Sequence, residues 1–225
     1  MKKLILITQS KGGSGKSILT YLLAEKYPQA AIFDMDDATR TTSIQLAYRS
    51  PVLATFLNSN KVIDRGLFNS FLEALTYAEN ELFIADLGAS VSEQLPYYFS
   101  EVAEYLPSVL EELGIEIEIF AIVGGANIFT PTMSYLEELC ESIRKKFPIR
   151  VYQNEYYEFS QAQNTTLDTF IRLHKLKSQS FTISRDKNES TQNRIREVLK
   201  SGQGLANASA FSRMYFISAL KTIQL

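Results

Sequence analysis

Lys11 and Lys16 stand five residues apart in the run Ser10-Lys11-Gly12-Gly13-Ser14-Gly15-Lys16-Ser17, between an apolar segment and a helix-forming one. That composition suits the binding of phosphate. Glycines let successive backbone N–H groups converge on anionic oxygens, Lys16 brings a cation to the terminal phosphates, and Ser17 places a hydroxyl where Mg²⁺ would sit. Gly12, Gly13, Ser14, Gly15, Lys16, Ser17 and Ile18 are the expected nucleotide-binding residues.

Phosphoryl transfer needs charge neutralisation and a positioned water more than a strong base. Two apolar runs end in acids that could supply both: Ala30-Ala31-Ile32-Phe33 leads into Asp34-Met35-Asp36, and Leu82-Phe83-Ile84-Ala85 leads into Asp86. Asp86 can hold Mg²⁺ through a water opposite Ser17. Asp34 can cap the turn or helix that follows. A late run, Ile149 to Gln153, ends in Asn154, whose amide both donates and accepts; Asn is also an ordinary turn residue.

A strict G-x-x-x-x-G-K-[ST] loop has glycine where this chain has Ser10, and the pattern present is x-K-G-G-x-G-K-[ST]. The stretch Lys11 to Ser17 resembles the deviant Walker A loop of the ParA/MinD family of dimeric ATPases. The resemblance implies ATP and Mg²⁺ as cofactors, with Lys11 reaching across a dimer interface to the partner's nucleotide. It implies a catalytic set of Lys11, Lys16 and Asp36, the last orienting the attacking water. It further implies a metal set of Ser17, Asp34 and Asp86, and Asn154 as an adenine contact. Asp86-Leu87-Gly88 would supply a flexible residue for a switch segment. The family's Asp-Pro-Gln-Gly-Asn is replaced here by Asp36-Asp37-Ala38-Thr39-Arg40, which leaves Arg40 an unassigned cation near the phosphate. The likeness is good over residues 1 to about 160 and loose beyond. It points to compact members without an N-terminal helix-turn-helix.

The elements that must hold these residues alternate between strand and helix, the pattern of an α/β protein with a doubly wound, mostly parallel sheet flanked by helices, the P-loop NTPase class. Strands are expected at Lys3–Thr8, Ala30–Asp34, Glu81–Asp86, Glu116–Val123, Ile149–Gln153 and Ser180–Ser184. Helices are expected at Lys16–Tyr27, Thr41–Tyr48, Asp64–Glu79, Leu95–Leu113, Thr132–Phe147, Gln161–Lys177, Thr191–Lys200 and Asn207–Thr222.

The 225 residues, 45% apolar, are enough for one domain over 1–225. The first apolar run is too short for a secretion signal or a membrane span, and the single cysteine, Cys140, forms no internal disulfide; both favour the cytoplasm. The net charge of −2 conceals an asymmetry: residues 172–225 hold 10 Lys or Arg against three acids, while residues 1–171 hold 13 against 22. A basic quarter can mark a nucleic-acid or anionic-membrane surface, and it can equally be a set of solvated helix faces.

Taken with the resemblance, these features imply a partition ATPase that segregates plasmid or chromosomal DNA. Its ATP-bound homodimer would bind DNA non-specifically at the nucleoid through Arg194, Arg196, Lys200 and Arg213, with Arg172, Lys175 and Lys177. A ParB-like or other protein would stimulate its slow hydrolysis. A MinD-like membrane switch is the alternative. The last helix carries Phe211, Met214, Tyr215, Phe216, Ile217, Leu220 and Ile223 but only Arg213 and Lys221 as cations, so these apolar residues are expected in the core and no membrane partner is expected. A metabolic enzyme on the same fold is a third class, although Cys140 alone cannot ligate an iron–sulfur cluster. His174, among basic residues, is expected at the surface.

Overall fold

A computed structural model describes residues 1–143 and 146–225. Seven strands form one wholly parallel sheet in the order β3-β2-β4-β1-β5-β6-β7. They are β1 Lys2–Thr8, β2 Ala31–Met35, β3 Val52–Leu53, β4 Leu82–Leu87, β5 Ile115–Gly124, β6 Ile149–Asn154 and β7 Lys177–Phe181. The central strands read as near-continuous apolar runs because helices cover both faces of the sheet. All six residues of β4 are buried.

One face is covered by α3 Arg65–Tyr77, α4 Ala89–Val102, α5 Leu106–Leu113, α6 Phe129–Ile143 and α7 Gln161–His174. The other packs against α1 Lys16–Lys26, α8 Glu189–Ser201 and α9 Ala210–Thr222. A short α2, Thr41–Gln45, and a 3₁₀ turn at Ala47–Arg49 bridge β2 to β3. Local chemistry sets several helix starts: Asp64 accepts from the N–H groups of Gly66 and Leu67, and Ser160 and Gln163 form a reciprocal capping box.

Four expectations need correction. The helix expected over Leu95–Leu113 is two helices. Pro107, which has no N–H to continue a helix, sits in the first turn of α5, while Pro96 is accommodated inside α4. The last strand lies three residues earlier than Ser180–Ser184, because pairing with β6 from Arg150–Lys177 to Asn154–Phe181 fixes it. β3 was not foreseen; two residues at a sheet edge carry no readable alternation. The expected 41–48 helix stops at Gln45 and continues as the 3₁₀ turn. Of the expected Thr132–Phe147 helix, Arg144 and Lys145 lie outside the described residues.

The final helix corrects a fifth reading. Phe216 and Ile223 are fully buried, but Phe211, Met214 and Ile217 are 72%, 64% and 46% exposed, so three of the seven apolar residues expected in the core form an outer face. Cys140 packs against the larger apolar cluster, and burial pushes its thiol up to about 12. No described helix is long and apolar enough to cross a membrane.

Candidate nucleotide site

The loop between β1 and α1 opens at the carboxyl ends of β1, β2 and β4, where ligands gather in doubly wound sheets. Gly13 and Gly15 have φ of 74° and 107°, conformations that favour glycine. At Gly15 a side chain would also lack space, since a Cβ would lie 2.5 Å from Asn154 Nδ2. The loop and the strand-end acids enclose a cavity of about 340 Å³ whose walls include Gly12 to Ile18, Asp36 and Asp86.

The two lysines are placed differently. Lys16 Nζ donates to the Gln9 carbonyl at 2.8 Å; burial pulls its pKa down, while Asp86 and Asp36 push it back up. Lys11 is exposed, and none of its side-chain contacts to described residues is a hydrogen bond or ion pair; its backbone N–H donates to Gln9 Oε1 at 3.2 Å. Gln9 is wholly buried and also donates to the carbonyls of Ile122 and Thr132, at 2.7 and 3.3 Å. It thus pins the start of the loop to β5 and α6, a role that sequence reasoning missed although Gln9 immediately precedes the motif.

Asp34 and Asp86 face each other in the register of β2 and β4. Asp86 Oδ2 accepts from Ser17 Oγ at 2.7 Å and from Thr42 Oγ1, while its buried Oδ1 has no partner. Burial raises the Asp86 carboxyl to about 6, against the pull of Thr42, Ser17 and Lys16. A buried carboxylate oxygen without a donor, beside a serine hydroxyl, fits a hard divalent cation. No group of three or more His, Cys, Asp or Glu side chains among the described residues is placed to hold a metal ion, so such a cation would draw most of its ligands from phosphate and water. Asp34 caps the turn after β2: its oxygens accept from the backbone N–H groups of Asp36 at 3.1 Å and Ser43 at 2.7 Å.

Asp36 accepts from the amides of Ala38 and Thr39 and from the Thr39 hydroxyl. Partial burial pushes its pKa up, but these donors and Lys16 outweigh it and hold the carboxyl below the ordinary value. It is a standing acceptor at the mouth of the cavity. Arg40 adopts φ of 48° and is exposed. Gly88 is needed for close approach, since a Cβ there would lie 2.9 Å from Asp36 Cα; its φ of −59° is ordinary.

A second hollow of about 230 Å³ continues from Gly13, Gly15 and Ile18 towards Asn154, Tyr156, Gln192 and Arg196. Asn154 donates to the Ser14 carbonyl at 2.8 Å and accepts from Tyr156 N–H at 3.1 Å, so its amide braces the loop. Tyr157 adds a bond to the Gly13 carbonyl at 2.7 Å. The basic residues separate into groups. Arg196 lines the second hollow; Arg194, Lys200 and Arg213 lie exposed on α8 and α9. Arg172, Lys175 and Lys177 lie at the opposite, amino-terminal end of β7, beside His174, which is partly buried and stacked on Phe170. Arg185 and Lys187 are paired with Glu155 and Glu158.

No family model matches the chain. Two proteins of Escherichia coli, each called Protein TraL, are 25% identical over 161 residues and 26% identical over 169. Each alignment takes in 70% of this chain, and the chain spans 65% of the length of these curated relatives. Among solved structures, a plasmid partition protein from Borrelia burgdorferi superposes with a TM-score of 0.51 at 13% identity, covering 88% of this chain and 96% of that one. A protein of Borrelia burgdorferi B31 described as a putative plasmid partition protein, bound to AMPPNP, gives 0.50 at 14% identity, covering 98% of both chains. The fold is that of these partition proteins, in agreement with the ParA-like resemblance of the loop.

Proposed function

We propose that this chain, ParA-like in its loop and its fold, is an ATP-dependent dimerisation switch that serves plasmid or chromosome partition. The observation that carries the reading is the contrast between its two loop lysines: Lys16 is drawn in over the phosphate cradle, and Lys11 stands exposed without a side-chain partner among the described residues. A cation on the rim of one protomer's site is positioned to serve a second protomer's nucleotide. The AMPPNP held by one partition protein of the same fold supports a nucleoside triphosphate as ligand.

Gly12 to Ser17 present backbone N–H groups to the phosphates, and Lys16 neutralises charge there. Ser17 and Asp86 would hold Mg²⁺, which would supply neutralisation of the phosphate charge. Asp36 accepts a hydrogen bond from the attacking water. Lys11 acts in trans, so that hydrolysis removes contacts on which the dimer depends; in related systems a trans cation is worth roughly 10³ to 10⁵ in rate, which leaves the monomer slow. DNA binding by the ATP dimer falls to Arg194, Lys200 and Arg213, a ParB-like protein supplies the stimulation, and the setting is the cytoplasm.

Dimerisation and DNA retention with ATP and with ADP, in the parent and in Lys11→Ala, test the reading. Dimers with ATP only, lost in Lys11→Ala, are expected; unchanged behaviour in that variant removes the trans-lysine mechanism. A second reading, a membrane-positioning switch, is favoured by the exposed Phe211, Met214 and Ile217 on α9. Flotation of the ATP-bound protein with anionic liposomes would select it over DNA.

A further inference from the structure

α2 and the 3₁₀ turn after it touch the candidate metal site at one end and the basic helix α8 at the other. At the near end, buried Thr42 donates to Asp86 Oδ2, the oxygen that also takes the Ser17 hydroxyl. The next residue, Ser43, sends its N–H to Asp34. At the far end, Tyr48 N–H donates to the carbonyl of Gly202, the residue that caps α8, at 2.9 Å.

That far contact has no slack. Gly202 has φ of 63°, and a Cβ on it would lie 2.7 Å from the Ile44 carbonyl oxygen, a backbone atom of the same segment. Two residues on, a Cβ at Gly204 would lie 2.7 Å from the Tyr48 ring. Glu25 then ties the two together, accepting from the Tyr48 hydroxyl at 2.6 Å and from Leu205 N–H at 2.8 Å. A displacement of α2 therefore has to displace the end of α8 or break these contacts.

The near end, by contrast, is incompletely satisfied. Ser43 Oγ and Gln45 Oε1 are buried without a partner, as is Asp86 Oδ1, and Gln45 lines the phosphate cavity. Polar atoms left unpaired inside a structure favour an alternative arrangement that pairs them.

We propose that Thr42 is a positioning residue that couples occupancy of the metal site to α8 through α2 and Gly202. The inference rests on the proposed function, in that Ser17 and Asp86 hold the metal with the nucleotide. When Ser17 turns its hydroxyl away from Asp86, Thr42 is the remaining side-chain donor to that oxygen, and α2 resettles around it. The shift reaches Gly202 and reorients α8, which carries Arg194 and Lys200 on its exposed side. The metal site is thereby read at Arg194 and Lys200, which border neither hollow.

Backbone hydrogen exchange over residues 189–201, with and without Mg²⁺ and AMPPNP, tests the coupling. In the parent, Mg²⁺ with AMPPNP should change exchange in α8 by about threefold or more beyond any change that AMPPNP gives in EDTA through the hollow at Arg196. Thr42→Val should bind AMPPNP in EDTA within about twofold of the parent yet lose the α8 response, and Thr42→Ser should restore it. An α8 response of parental size in Thr42→Val, or one independent of Mg²⁺ in the parent, overturns the coupling while leaving the nucleotide reading intact. So does a parent that binds Mg²⁺ and AMPPNP with no change in α8. A parent that binds no AMPPNP overturns both. The Mg²⁺ comparison uses unaltered protein, so the coupling stays open to refutation even where Thr42→Val fails to fold.

Discussion

Ser17 donates its hydroxyl hydrogen bond to Asp86 Oδ2 across 2.7 Å, and through it the first turn of α1 is tied to the end of β4. Ligand-free, this bond compensates only part of the cost of burying a carboxylate. The Asp86 pKa of about 6 has burial as its largest cause, with Thr42, Ser17 and Lys16 opposing it.

A stability prediction follows from that balance. With the folded-state pKa raised, the stability linked to this carboxyl is fully present below its unfolded pKa of about 4 and is lost as pH rises through about 6. Asparagine does not titrate. In EDTA and without nucleotide, Asp86→Asn should therefore gain about 2–3 kcal/mol relative to the parent between pH 4 and pH 7.5. Urea unfolding at both pH values measures it, and a difference independent of pH would show that Asp86 is not burdened by burial.

Gly15 makes a separate claim about the loop. A Cβ there would meet Asn154 Nδ2 at 2.5 Å and Phe181 Cζ at 3.3 Å, on a backbone with φ of 107°, whereas Gly12 has nothing within 4 Å of its Cβ position. Gly15→Ala should cost about 2–3 kcal/mol in thermal unfolding of the ligand-free protein, and Gly12→Ala less than about 0.5. Equal losses would mean that the Asn154 brace does not constrain the loop.

Arg194 and Arg196 are two residues apart on α8 and face different surroundings: Arg196 borders the hollow beside the phosphate loop, and Arg194 does not. Removing a phosphate contact should lower a DNA salt slope of roughly −4 to −5 by about 1. Arg194→Ala should do that and leave nucleotide affinity alone. Arg196→Ala should weaken a fluorescent ATP analogue by about threefold to tenfold with the slope retained. The reverse assignment would place the base elsewhere.

The strong local patterns were legible in the sequence. The loop, the apolar strands ending in Asp34 and Asp86, and the helix after Lys16 all announce themselves within a few residues, because β-branched runs and glycines act locally. What could not be read were long-range relations. Asn154 reaches Ser14 over 140 positions, and Thr42 reaches Asp86 over 44. Gln9 looks like any polar residue at a strand end until β5 and α6 surround it. β7 went astray because Lys177-Ser178-Gln179-Ser180 is polar at a sheet edge, where pairing to β6 overrides propensity.

The last helix shows why apolar content alone misled. Its residues were expected to be uniformly buried, but only one stripe meets α1: Phe216 is fully buried, with its ring 5.8 Å from that of Tyr21. Phe211 and Met214 lie on the opposite stripe, 72% and 64% exposed. Phe216→Ala should therefore cost about 3–5 kcal/mol, as removal of a core ring does, because the cavity it leaves cannot fully collapse. Phe211→Ser and Met214→Ser should each change stability by less than about 0.5 kcal/mol, since little area leaves or enters water. Denaturant titration of the three variants measures the contrast. A loss above about 2 kcal/mol for Phe211→Ser would mean that the outer stripe is covered in solution, by a second copy or another surface, and repeating the titration at tenfold dilution would separate a self-association from a fold contact.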